Sequence, residues 1–147
     1  MQYIQCMGLF SKRIEIGSAD SSRFESVELM VDTASTYTWI PREIVNRLGL
    51  RVSGKRRVRH ADGRIVEKEG VDAQVRINGE VHSNFCLIAD QGEGLLLGSL
   101  TLETFSLGVD PINKTLVPVV ASAMAIIIGC ELAPKPERYS HLWAPLL

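Results

Sequence analysis

Asp32 is the residue of this chain best placed to do chemistry. It follows the apolar run Leu29-Met30-Val31 and is followed at once by Thr33, Ala34, Ser35 and Thr36. The run is too short for an ordinary helix and reads as a brief buried strand. A carboxylate delivered by such a strand is half-buried, which costs free energy unless partners hold it. Thr33, Ser35 and Thr36 can supply those partners, their hydroxyls donating to the carboxylate or to backbone carbonyls of a tight turn. The plain alternative is that Asp32 serves an Asx-turn or caps a helix beginning near Pro41.

The surrounding elements must position that loop. Phe24, Val27, Leu29 and Val31 lead into it, behind a turn cluster at Gly17-Ser18-Ala19-Asp20-Ser21-Ser22 that predicts a hairpin. Thr38-Trp39-Ile40 predicts the strand leaving it. Pro41 to Leu50 predicts a short helix, with Pro in the first turn, Ile44, Val45 and Leu48 on one face, and Gly49 at the stop. Asp62-Gly63, between alternating segments from Arg57 to Glu67, predicts a second hairpin. Val71, Ala73, Val75 and Ile77 alternate with polar residues as a half-buried strand, and Asn78-Gly79 predicts a type I′ turn into a return strand through Ile88. Phe85, Leu87 and Ala89 continue that buried pattern. Successive hairpins with little helix predict an all-β barrel or sandwich.

Val31-Asp32-Thr33-Ala34-Ser35 resembles the Asp-Thr/Ser-Gly-Ala/Ser loop of the aspartic proteases, and its neighbours resemble the single-domain, retropepsin-like branch. Leu95-Leu96-Leu97-Gly98 resembles that family's second signature, a buried strand beneath the catalytic loop. Leu100 to Gly108 resembles the short helix that follows it. The resemblance runs over about 1–120 and implies an all-β, closed retropepsin-like barrel with one or two short helices. Residues 121–147 lie outside the pattern, as a C-terminal extension.

The resemblance also implies roles. Asp32 would be the catalytic carboxylate, and Thr33 would brace the loop by bonding across a two-fold axis. Ala34 stands where Gly is usual, and Ser99 where retroviral members carry Arg or Asn. His60, Ala61, Asp62 and Gly63 would form the flap that covers an extended peptide, a form of β-augmentation. Leu96, Leu97 and Gly98 would support the site. Aspartic proteolysis needs two carboxylates around one water, one ionised and one protonated, and close approach of two acids drives their titrations apart. The chain has one suitable Asp-Thr loop: Asp90 precedes Gln91-Gly92, Asp110 precedes Pro111, and Asp62 sits in a turn. A homodimer follows, with one Asp32 from each subunit. The expected activity is that of an aspartic endopeptidase on a peptide or protein substrate, without metal or other cofactor. The reading from a different class is a non-catalytic dimerisation or peptide-binding module on the same fold.

Composition bounds the rest. At 147 residues the chain is long enough for one domain with a real core. A formal net charge of -1 offers no electrostatic case for nucleic acid, and Lys55-Arg56-Arg57-Val58-Arg59 reads as a solvated strand or loop face. Cys6, Cys86 and Cys130 are odd in number and widely spaced, and His60, His82 and His141 are scattered, so neither disulfides nor a zinc site is expected. No secretory signal is visible, and a cytoplasmic location is expected. The apolar stretch Leu116 to Ile128 falls short of the ~20 residues needed to span a bilayer, so a further strand or core-packing segment is expected there rather than an anchor. Met1 to Phe10 is expected to open as an edge strand. Ala133-Pro134-Lys135-Pro136 is expected to be stiff and extended, with Tyr139 to Leu147 available for docking.

Overall fold

The computed structural model describes residues 9–121. The elements run β1 (Ser11–Gly17), β2 (Phe24–Val31), β3 (Thr38–Pro41), α1 (Arg42–Arg47), β4 (Val52–Arg59), β5 (Ile65–Ile77), β6 (Glu80–Ala89), β7 (Leu96–Leu97), α2 (Ser99–Thr104), β8 (Leu107–Asp110) and β9 (Thr115–Pro118). The expected opening strand before residue 9, and everything expected beyond residue 121, lie outside the described residues.

Seven strands form one sheet in the order β1-β2-β7-β3-β6-β5-β4, and β1 also pairs with β5. That last pairing, Glu15↔Arg76 to Gly17↔Gln74, closes the sheet on itself. The expected closed all-β barrel with two short helices is therefore the fold. Closure removes exposed edges from the ring, and β4 extends beyond it as one arm of the hairpin it makes with β5. Arg76 seals the seam: it lies over the Phe24 ring at 3.6 Å and pairs with Glu15 at 3.2 Å.

The alternating pattern of β5 acts as expected, with Val71, Ala73, Val75 and Ile77 buried in the barrel beside Ile16, Leu29, Ile40 and Leu97. The return strand departs from its expected one-sided pattern. Cys86 and Ile88 face the main core, while Leu87 and Ala89 join Trp39 in a second cluster, so the end of β6 is buried on both faces. The β4–β5 hairpin covers its outer face, with Val58 packed on that second cluster. Cys86 is inert there: burial pushes its thiol up to about 12. Cys6 and Cys130 lie outside the described residues.

Turn chemistry places both hairpins. Asn78 and Gly79 take positive φ, as a type I′ turn requires. At Asp62-Gly63 the loop is longer: Gly63 N–H donates to the His60 carbonyl, His60 N–H to the Arg64 carbonyl, and Gly63 has φ +88°. Helix α1 starts after Pro41 in extended conformation and stops before Gly49, φ +66°. The helix expected over Leu100 to Gly108 starts earlier and ends sooner. It covers Ser99–Thr104, Ser106 takes the left-handed conformation (φ 51°), and Leu107–Asp110 is a strand paired with Thr115–Pro118. Leu107, Val109 and Leu116 pack against the core, which draws this segment out as a ribbon.

Candidate active site

The site is built where the chain crosses over its own strand. Strand β7 lies between β2 and β3, parallel to the first (Met30↔Leu96, Val31↔Leu97) and antiparallel to the second (Trp39↔Leu96). The connection from β2 to β3, residues 32–37, must therefore pass over the end of β7. Backbone bonds fasten it there. Asp32 N–H donates to the Leu97 carbonyl at 3.0 Å, Ser99 N–H to Ser35 at 2.8 Å, and Leu100 N–H to Thr36 at 3.1 Å.

Gly98 sits at the crossing. A Cβ on it would lie 2.3 Å from the Tyr37 carbonyl oxygen and 2.9 Å from that of Ser35. Its own φ of -90° is one any residue adopts, so the requirement for glycine comes from close approach alone. Two threonines that sequence reasoning passed over complete the brace. Thr38 and Thr101, both buried, share a hydroxyl bond of 2.6 Å, and the Thr38 hydroxyl also accepts the Gly98 N–H at 3.0 Å. This ties the start of β3, the crossing and α2 into one unit. A Thr amid apolar strand residues was the available signal.

Asp32 is half-buried, and its Oδ1 accepts the Ala34 N–H at 2.9 Å. Of the two expected uses of the loop hydroxyls the second is found: the Ser35 hydroxyl donates to the Tyr37 carbonyl at 2.7 Å, while the backbone amide serves the carboxylate. The short Asx-like turn, closed by Ser35 N–H on the Asp32 carbonyl, brings the amide of residue 34 nearer than any side chain. Thr33 and Ala34 are exposed. No ion pair engages Asp32 among the described residues.

The three acids weighed against Asp32 in the sequence have structural employment. Asp110 accepts the Ile112 and Asn113 amides and the Asn113 side chain, and Asp62 accepts the Arg64 amide and guanidinium. Asp90 receives Arg42 Nε at 2.6 Å and Lys68 Nζ at 2.9 Å. Those bonds, Arg42 foremost, lower its pKa from 3.8 to about 2. A carboxyl depressed in the folded state contributes stability that is full above 3.8 and is lost as pH falls through about 2. The melting-temperature gap between wild type and Asp90→Asn is accordingly expected to be widest near neutral pH and to close across that window. A gap independent of pH would show that the bonds to Arg42 and Lys68 do not form.

The β4–β5 hairpin carries His60, Ala61, Asp62 and Gly63 at its turn, as expected. Its inner face bounds a cleft of about 430 Å³ with Trp39, Val66, Lys68, Glu93 and Leu96. His60 lies against Trp39, ring centroids 6.0 Å apart. Asp32 is not in that lining. The cleft and the Asp32 loop meet through β7, whose Leu96 lines the cleft and whose Leu97 holds the Asp32 amide.

A barrel closed around a crossed Asp-Thr loop, with a hairpin over the adjoining cleft, defines the class of the acid-protease fold. The chain matches the family described as aspartyl protease over residues 17–104, and it belongs to that family. Among solved structures it is similar to EIAV protease complexed with the inhibitor HBY-793, at 16% identity and TM-score 0.51, covering 71% of this chain and 94% of that one. It is also similar to the retroviral protease-like domain of Ddi1 from Leishmania major (15% identity, TM-score 0.46, 76% and 94% covered). A third similar structure is a retropepsin-like aspartic protease from Rickettsia conorii (18% identity, TM-score 0.42, 74% and 91% covered). No curated protein matches the chain. At such identities the EIAV likeness concerns the fold, which is retropepsin-like. Among the described residues, no helix is long and apolar enough to cross a membrane.

Proposed function

We propose that this protein is a homodimeric aspartic endopeptidase in which Asp32 from each of two copies flanks one water. One carboxylate, ionised, takes a proton from that water as its oxygen attacks the peptide carbonyl carbon. The other, protonated, donates to the carbonyl oxygen, giving a tetrahedral gem-diol. Collapse returns a proton to the leaving nitrogen and breaks the C–N bond. Thr33 bonds across the axis, His60 to Gly63 close over the extended substrate, and Leu96, Leu97 and Gly98 support the loop. Neither metal nor cofactor enters this scheme, and the barrel with its flanking ribbon acts as one protease domain, 1–120, extended by 121–147. A cytoplasmic location accords with this reading.

The observation that carries the reading is the state of Asp32: half-buried and fastened to β7 through its own N–H, with its carboxylate bonded, among the described residues, to a backbone amide alone. Its exposed neighbours Thr33 and Ala34, with Leu100 (43% exposed, its N–H bonded to Thr36 of the same loop), give a second copy a face to cover. One loop per chain then makes the dimer the catalytic unit.

Cleavage of an unfolded polypeptide at mildly acidic pH is expected to rise with the square of protein concentration below the dimer dissociation constant, and linearly above it. Activity strictly proportional to concentration in a preparation that sediments as monomer would sink the proposal. Peptide binding without cleavage would instead assign the non-catalytic module.

A further inference from the structure

Lys68 is a cation with little access to water. It sits on β5 in the stem of the hairpin, opposite Arg56 on β4, and only 10% of its side chain is exposed. Its ammonium lies 5.7 Å from the centroid of the Trp39 ring, at the cleft. It donates to Asp90 Oδ2 at 2.9 Å and to Glu93 Oε2 at 2.7 Å. The same Glu93 oxygen accepts the Asp90 N–H at 2.8 Å, and Asp90 is held from α1 by Arg42. Asp90 and Glu93 belong to the connection from β6 to β7, whose Gly92, Glu93 and Gly94 form the wall of the cleft facing the hairpin.

From this bridge we infer that Lys68 is a positioning residue that clamps the cleft wall to the stem of the flap, setting the width of a subsite for an apolar substrate side chain. The inference rests on the proteolytic reading for its substrate, though the clamp itself does not. Two carboxylates already engage the ammonium, so it has little capacity left to attract an acidic substrate. His60 and Arg64 also line the cleft from the hairpin tip, Arg64 being paired with Asp62, and the floor offered to a ligand is apolar: Trp39, Val66 and Leu96. The wall loop contains two glycines, Gly92 at φ +87°, and would otherwise have few restraints on its position.

The clamp also suits acidic conditions. Burial works to lower the Lys68 pKa, but the bonds to Glu93 and Asp90 outweigh it, and the net shift is upward. Burial likewise works to raise Glu93, but Lys68 and the Asp90 amide bring it down. Lys68 and Arg42 therefore stay paired with the carboxylates of Asp90 and Glu93 as pH falls below neutral.

The test compares Lys68→Met and Lys68→Arg in the full chain. Lys68→Met is expected to raise KM for peptides with a small apolar side chain at the subsite about tenfold, with kcat changed less than about twofold. It should also relax the preference towards larger side chains, and Lys68→Arg should restore it. Independently of any cleavage, amide exchange at residues 91–94 should accelerate about tenfold in Lys68→Met while β1 and β2 keep their protection. Should Lys68→Met fail to fold, Glu93→Gln breaks the bridge from the wall side and should accelerate the same amides. Unchanged exchange at 91–94 in a folded variant would overturn the clamp. Faster exchange with KM and side-chain preference unaltered would overturn its role in the subsite. A wild-type chain that never cleaves would remove the endopeptidase reading, while the exchange experiment would still decide the clamp.

Discussion

Asp32→Asn is expected to lower peptide-bond cleavage by about 10⁴-fold while leaving the barrel intact. Asn keeps an oxygen where Oδ1 accepts the Ala34 N–H, so the turn survives. Among the described residues Asp32 has no ion partner whose loss would leave a stranded charge, so the stability change should stay within about 0.5 kcal/mol. What disappears is the ability of the pair to hold one shared proton. The measurement is turnover of an unfolded polypeptide by a variant whose thermal melting matches wild type. Retained cleavage would place the chemistry elsewhere; the three acids weighed against Asp32, namely Asp62, Asp90 and Asp110, are bonded in turns and ion pairs. Ala34 makes this experiment more pointed: the loop departs from the family's usual Gly at the residue whose amide contacts the carboxylate.

The second large effect falls on Gly98. Gly98→Ala is expected to destabilise the protein by about 3 kcal/mol, the upper end of what overpacking against backbone costs. The new methyl would meet the Tyr37 carbonyl at 2.3 Å, and neither a rotamer change nor a flexible neighbour can relieve it. Relief requires the 32–37 loop to lift from β7, which breaks the bonds from Ser99 and Leu100 and displaces Asp32. Activity should fall with stability, and by more, because a loop shifted by an ångström misplaces the carboxylate. Gly94→Ala is the matched control for stability: its Cβ would meet only Leu96 side-chain atoms, the nearest at 3.6 Å. Calorimetric melting should separate the two by roughly 10 °C. Equal melting temperatures would mean that the crossing is looser than its geometry implies.

Several features of this chain were legible in order along the sequence because their causes are local. Side chains alternate along a strand whatever it pairs with, so Val71 to Ile77 announces a buried face. Asn78-Gly79 and Gly49 announce φ values that other residues resist. The Asp-Thr loop and the Leu-Leu-Gly downstream were readable as a pair by resemblance, since each is a contiguous motif. The end of α2 was not legible: Gly108 looks like the natural stop, yet Ser106 takes the left-handed conformation because Leu107 and Val109 are drawn into a strand. The two-faced burial of Cys86 to Ala89 was hidden too, since it depends on which elements cover the outer side.

What sequence alone determined is the list of elements, their turns, and one acidic residue in an Asp-Thr motif that Asp62, Asp90 and Asp110 lack. What only the tertiary structure decided is why that residue is held where it is. Thr38 and Thr101 are joined across the core, Lys68 reaches Asp90 and Glu93 from another strand, and Gly98 is small because a loop from far upstream crosses it. The physical reason is the same in each case: periodicity and turn propensity act over a few neighbouring residues, whereas these contacts join residues 22 to 63 positions apart that meet only in the assembled sheet.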